Sequence, residues 1–253
     1  MKIHYISLIF LISLIFLFLF PTFALTNELP NKPGSRADAW LKKADTYMNA
    51  LDSELMVNVQ IFEKEKLIKE RQYQVYTKNP RKTIVLFHHQ AEKGQKVLMK
   101  EHNFWMFLPR SKRGLRITPQ QKLFGDAATG DITNIRWSDD YQGNVNSCDE
   151  TQCELVLEKK RRGPTYKKIL LYLDKKNALP LTAKLHLNKH KVAKYAHYFF
   201  RKTEDGYQIS KIEYKNAIKK KQKTFVNFSN IIEKKTPSRW YTPSYLSTHA
   251  TLK

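Results

Sequence analysis

Leu55-Met56-Val57-Asn58-Val59-Gln60-Ile61 spaces Leu55, Val57, Val59 and Ile61 two residues apart, and Leu181-Thr182-Ala183-Lys184-Leu185-His186-Leu187 repeats the pattern. Successive side chains of an extended chain point to opposite faces, so this alternation marks antiparallel strands with one face buried. Outward from these stretches, further strand candidates separated by short polar or Gly/Pro turns lie at 66–77, 82–89, 95–100, 103–108, 113–118, 131–137, 153–159, 166–174, 192–200, 207–215 and 223–232. No β-α-β rhythm interrupts them, which argues against doubly wound and TIM-type folds. The alternation slips phase between Tyr207/Ile209 and Ile212/Tyr214, as a β-bulge requires where a strand bends along a curved sheet.

Several of these strands are apolar on both faces: Ile84-Val85-Leu86-Phe87, Phe104-Trp105-Met106-Phe107-Leu108, Ile169-Leu170-Leu171-Tyr172-Leu173 and Tyr198-Phe199-Phe200. Each needs cover on both sides. The clearest helix starts at Ser35, a suitable N-cap. It carries Ala37, Trp40, Leu41, Ala44, Tyr47, Met48 and Leu51 at three- and four-residue steps to an end near Asp52. One such helix cannot shield both faces, so the sheet must roll up, pack on itself, or hold an apolar ligand. Periodicity ranks sandwich and barrel equally.

Lys2, the apolar run from Ile6 to Phe20 and the following Pro21-Thr22-Phe23-Ala24 have the layout of a secretory signal, with cleavage expected after Ala24. The run is also about the ~20 residues that a membrane anchor needs, but the helix-breaking Pro21 favours cleavage. The expected organisation is a signal peptide at 1–24, a linker at 25–34 and a single domain at 35–253, located in the periplasm. The formal charge of +22 points to an anionic partner. For an exported protein that means an anionic membrane surface rather than nucleic acid. Runs such as Lys159-Lys160-Arg161-Arg162 and Lys219-Lys220-Lys221 read equally well as solvated loop charge.

Cys148 and Cys153, the only two cysteines, flank a polar turn between two strands. In an oxidising compartment they are expected to form a disulfide that staples the hairpin, worth about 2 kcal/mol. A metal would need two more ligands. His186 and His190 have helical ligand spacing but sit in a strand pattern, and the adjacent His88 and His89 face opposite ways in an extended segment. There is no phosphate loop, nucleophile elbow or metalloprotease motif. The expectation is a binding protein with no metal or cofactor, not an enzyme.

The stretch from Gly94 to Pro109 (Gly-Gln-Lys-Val-Leu-Met-Lys-Glu-His-Asn-Phe-Trp-Met-Phe-Leu-Pro), with Arg113-Gly-Leu-Arg-Ile-Thr-Pro-Gln-Gln-Lys-Leu-Phe-Gly125, Asp131 and Asp140-Tyr141, resembles the outer-membrane lipoprotein-sorting (LolA-like) family. The likeness continues through the strand after Cys153, Tyr166 to Leu173, Leu179-Pro180 and Thr242-Pro-Ser-Tyr-Leu246. It implies a mostly β protein, a curved antiparallel half-barrel of about ten or eleven strands. An N-terminal amphipathic helix and a small helical lid would close an apolar cavity for acyl chains. The implied function is binding and transfer of lipids or lipoproteins toward the outer membrane. The alternative is an envelope sensor or accessory module docking through its basic face onto an inner-membrane exporter or regulator.

Candidate lining residues are Trp40 on the helix, Leu55, Val57 and Val59 on the first strand, and Leu171, Phe199 and Phe228 on later ones. Phe104, Trp105 and Phe107 read as core packing or as cavity lining. Arg113 and Arg116 match the family motif and are candidate polar contacts for ligand, or structural partners of Asp131, Asp139 or Asp140.

Overall fold

The computed structural model describes residues 35–48, 52–78, 81–133, 136–188, 190–219 and 221–252. The expected signal peptide and linker, and Leu51, lie outside these residues. Helix α1 (Ser35–Met48) leads into a run of antiparallel strands, β1 (Ser53–Glu63), β2 (Lys66–Lys78), β3 (Lys82–Phe87), β4 (Lys96–Lys100), β5 (Asn103–Phe107) and β6 (Leu115–Ile117). A crossover follows, built from the short hairpin β7 (Lys122–Phe124) and β8 (Ala127–Ala128) and the single-turn helices α2 (Thr129–Ile132) and α3 (Trp137–Asp140). The second run is β9 (Tyr141–Cys148), β10 (Gln152–Lys159), β11 (Lys168–Asp174), β12 (Pro180–His186), β13 (Val192–Thr203), β14 (Gly206–Asn216) and β15 (Gln222–Glu233). After it, a 3₁₀ turn at Ser238–Tyr241 precedes α4 (Pro243–Thr248).

All strands but β7 and β8 join one sheet of 13, in the order β6-β5-β4-β3-β2-β1-β15-β14-β13-β12-β11-β10-β9. Each run is a meander, and the two are joined where β1 pairs with β15, Val57 opposite Phe228 and Val59 opposite Val226. The sheet does not close: β6 and β9 remain as its edges, and the crossover carries the chain from one to the other. The strand number exceeds the ten or eleven expected. The strand expected at 131–137 is instead part of the crossover, with Asp131 in α2 and Trp137 opening α3. Local propensity read its β-branched residues as a strand, and tertiary packing overrides it.

The phase slip is real. Phe199 pairs with Lys211 and Phe200 with Ile209, so Ser210 is the extra residue of a bulge, and its hydroxyl donates to the Phe199 carbonyl at 2.9 Å. The bulge bends β14 and lets Ile209 and Ile212, three residues apart, both face the core.

Two apolar cores form, one on each face. The concave face is lined by Leu55, Val57, Val59, Tyr73, Val75, Val85, Phe87, Leu155, Leu157, Leu171 and Val226, and it is covered by α1 and the crossover through Ala37, Leu41, Ala44, Ile132 and Trp137. On the convex face, Tyr76, Ile84, Leu98 and Phe107 pack under Trp240, Tyr241 and Leu246 of the C-terminal segment. The doubly apolar character of β3 and β5 is thus explained by two separate covers. Lys78 Nζ donates to the Thr236 carbonyl at 2.7 Å and Lys96 to that of His249, which fastens the segment down. The Cys148–Cys153 disulfide is formed and staples β9 to β10.

Candidate functional site

The concave face and its cover are held together by a few polar contacts set among apolar side chains. Asp45, facing inward from α1, is 3% exposed. Its carboxylate accepts from the Trp137 and Ser138 backbone amides at 2.8 and 3.0 Å and from the Ser138 hydroxyl at 2.6 Å. The helix thereby caps the start of α3. Burial pushes the Asp45 carboxyl up to about 6, against the opposing pull of these hydrogen bonds and of Arg136.

The second fastening joins the crossover to the sheet. Lys194, inward-facing on β13, forms a buried ion pair with Asp131 of α2 and donates to the Asp126 carbonyl. Asp131 also accepts from the Tyr166 hydroxyl at 2.8 Å and from the Ala128 amide at 2.7 Å. Every contact here satisfies a group that burial would otherwise penalise. Gly125 makes the approach possible: at φ +59° it takes a left-handed turn, and a Cβ there would stand 2.8 Å from Thr224 Oγ1. A third cluster lies at the end of the crossover, where Asp140 pairs with Arg81 at 2.8 Å and Arg161 at 3.4 Å, and Asp139 with Arg136 at 2.7 Å.

Between crossover and sheet lies a cavity of about 60 Å³. Met99, Phe104, Trp137, Ile169 and Leu185 give it apolar walls. Asp131, Tyr166, Tyr198 and Tyr214 form a polar side, and Arg81, His102, Arg136 and Asp140 also line it. Pockets that enclose small ligands run to roughly 300–1,000 Å³, so this cavity by itself is too small to enclose an acyl chain. The space that the curved sheet encloses is filled by the protein's own helix and crossover.

Leu55, Val57, Val59 and Leu171 lie together in the concave core, and Trp40 and Phe228 pack at its margin half-buried. Phe104 borders the cavity. Trp105 and Phe107 belong to the other side of the sheet, under the C-terminal segment. Phe199 is outward-facing and 38% exposed, with the Lys211 ammonium 4.2 Å from its ring centre. Alternation within β5 and β13 separates these residues from Phe104 and Tyr198.

Arg113 and Arg116 do not reach the three aspartates considered for them. Arg113 is exposed, while Arg116 donates to Asn103 Oδ1 at 2.8 Å and stacks over Trp105 at 4.7 Å. Lys194, Arg81, Arg136 and Arg161 take their place. The sequence signal that could have found Lys194 is a lysine in phase with the inward-facing Ala196 and Tyr198.

The fold is thus an open antiparallel sheet whose mainly apolar concave face is covered by an N-terminal helix and a crossover. A family model described as an uncharacterized protein matches residues 79–248, more than half of the chain. The chain is a member of that family, and it resembles the LolA superfamily in fold and sequence. A LolA superfamily protein of Nitrosomonas europaea superposes with a TM-score of 0.75 at 25% identity, covering 83% of this chain and 98% of that one. A DUF1329 family protein of Desulfovibrio piger gives 0.70 at 17% identity, with 85% and 99% covered. An outer membrane lipoprotein-sorting protein domain of Vibrio parahaemolyticus gives 0.67 at 15%, with 83% and 97% covered. The last two likenesses are of fold. No curated protein sequence matches the chain.

Proposed function

We propose that the protein is a periplasmic lipid- or lipoprotein-binding protein, not an enzyme, that captures acyl chains transiently on its concave face and passes them toward the outer membrane. The observation that carries this reading is the nature of the cover. The apolar face is roofed not by a second sheet but by α1 and a crossover of short turns, fastened by the Asp45 and Lys194 contacts. Displacing that cover exposes a continuous apolar surface.

Each methylene taken from water contributes about 0.8 kcal/mol. An incoming chain takes the place of Leu41, Ala44, Ile132 and Trp137, so part of its gain is offset by the apolar surface those side chains lose. Binding is then reversible enough for handover. The formal charge of +22 favours residence near anionic head groups, where each Lys or Arg close to the surface contributes about 1 kcal/mol.

Native mass spectrometry of the exported protein after incubation with vesicles of phosphatidylethanolamine and phosphatidylglycerol tests the proposal. Bound lipid at a defined stoichiometry is expected. Lipid-free protein that crosslinks in cells to an inner-membrane protein would overturn it in favour of a docking module.

A further inference from the structure

Two tyrosines in the cavity wall carry hydroxyls that no protein group engages among the described residues. Tyr198 of β13 and Tyr214 of β14 are 8% and 1% exposed, and both border the cavity. Neither hydroxyl has a hydrogen-bond partner among the described residues. The two tyrosines beside them are engaged: Tyr141 donates to the Tyr166 carbonyl at 3.1 Å and Tyr166 to Asp131 at 2.8 Å. The rings of Tyr198 and Tyr214 are firmly placed, the first edge-on to Trp137 with centroids 5.7 Å apart, the second with the Lys194 ammonium 4.3 Å from its centre. Hydroxyl donors on buried side chains that line a cavity are free to donate to an acceptor that enters it.

The surrounding lining narrows the kind of acceptor. The charged side chains in and beside this wall are already paired with one another, Asp131 with Lys194, Asp140 with Arg81 and Asp139 with Arg136, which leaves the hydroxyls to a neutral acceptor. A neutral acceptor attached to an apolar chain suits both the hydroxyls and the adjoining Met99, Phe104, Ile169 and Leu185. We propose that Tyr198 and Tyr214 form an acyl-carbonyl site, donating to the ester carbonyl oxygens of a fatty ester whose chain runs over the apolar wall. This rests on the acyl-binding reading above and adds the group by which the chain's polar end is held. Trp137 of α3 packs edge-on against Tyr198 and lines the same cavity. An ester carbonyl of this kind occurs in phospholipids and in the diacylglyceryl group of lipoproteins.

The test compares diacyl phosphatidylglycerol with its dialkyl ether analogue of equal chain length, offered together in vesicles to the exported protein and read by native mass spectrometry. The ether keeps the chains and head group and lacks the carbonyls. The ester should be retained over the ether by about tenfold, the worth of one or two neutral hydrogen bonds. The Tyr198→Phe/Tyr214→Phe variant should still take up lipid with that preference lost. The same ester and ether pair built into a diacylglyceryl-cysteine lipopeptide identifies the source, since the preference should appear with whichever ligand is held. Equal retention of ester and ether in both arms overturns the carbonyl site while leaving acyl binding intact. Uptake of neither ester nor ether in either arm overturns acyl binding itself, and this site with it.

Discussion

Lys194 and Asp131 illustrate how much depends on single side chains beneath the cover. Both are nearly fully buried, and the pair ties α2 to the sheet. Removing one partner strands the other charge, so Lys194→Met should lower stability by about 3–5 kcal/mol. The double variant with Asp131→Asn should recover part of the loss. Urea denaturation measures both, and a single-variant loss under about 1 kcal/mol would contradict the role given to the pair.

Asp45 makes a pH-dependent contribution. Its folded carboxyl titrates at about 6 rather than the ordinary 3.8, so between those values the folded state holds the proton that the unfolded state has released. Its contribution is therefore present at the acid end and lost as pH rises through about 6, a change of about 3 kcal/mol. A carboxyl ¹³C titration should place the Asp45 midpoint near 6. The fall in stability across this interval should be absent in Asp45→Asn.

Among elements, the strands were the most legible in the sequence because alternation reports burial on one face directly. β1 follows its pattern closely and the β14 phase slip marked a true bulge, whereas β12 keeps the alternation at Ala183 and Leu185 but ends at His186, leaving Leu187 exposed beyond it. The crossover was not legible: its helices are each one turn long, too short for a 3.6-residue period to show, and β-branched residues in it mimic a strand. Nor was the C-terminal cover. Trp240, Tyr241 and Leu246 carry no periodicity that distinguishes a segment packed on the convex face from a loop. The same limit governed the site. Residues chosen for greasiness alone fell on both faces at β5 and β13, and the lysine that fastens the crossover was passed over because lysines are so common in this chain.

Two expectations belong to this scale. Replacing Cys148 and Cys153 by Ser should cost about 2 kcal/mol and leave the cover unaffected, because the disulfide staples only the β9–β10 hairpin. In hydrogen exchange, α1 and residues 126–133 should open at lower free energy than β1, β14 and β15, which are paired on both sides. Equal protection throughout would contradict a separable cover.

As a whole, the molecule is a curved sheet whose convex face is covered over β2 to β5 by the C-terminal segment and whose concave face lies under α1 and the crossover. The C-terminal segment makes the convex side of β2 to β5 a second core, which lets the sheet keep its shape when the concave side is uncovered. On the proposed acyl-binding reading, the small cavity is a resting state, and capacity depends on how far α1 and the crossover withdraw.

Tryptophan quenching reports on that withdrawal directly. Trp137 is 1% exposed and packs inside the cover, so with Trp40, Trp105 and Trp240 replaced by Phe it becomes the sole fluorophore of its kind. The decisive measurement adds vesicles whose acyl chains are brominated near their ends to this variant. The account expects Trp137 to be quenched by chains bound on the concave face, and the quenching to persist once vesicles are removed and bound lipid is verified by mass. Lipid retained on the protein with Trp137 unquenched would contradict it.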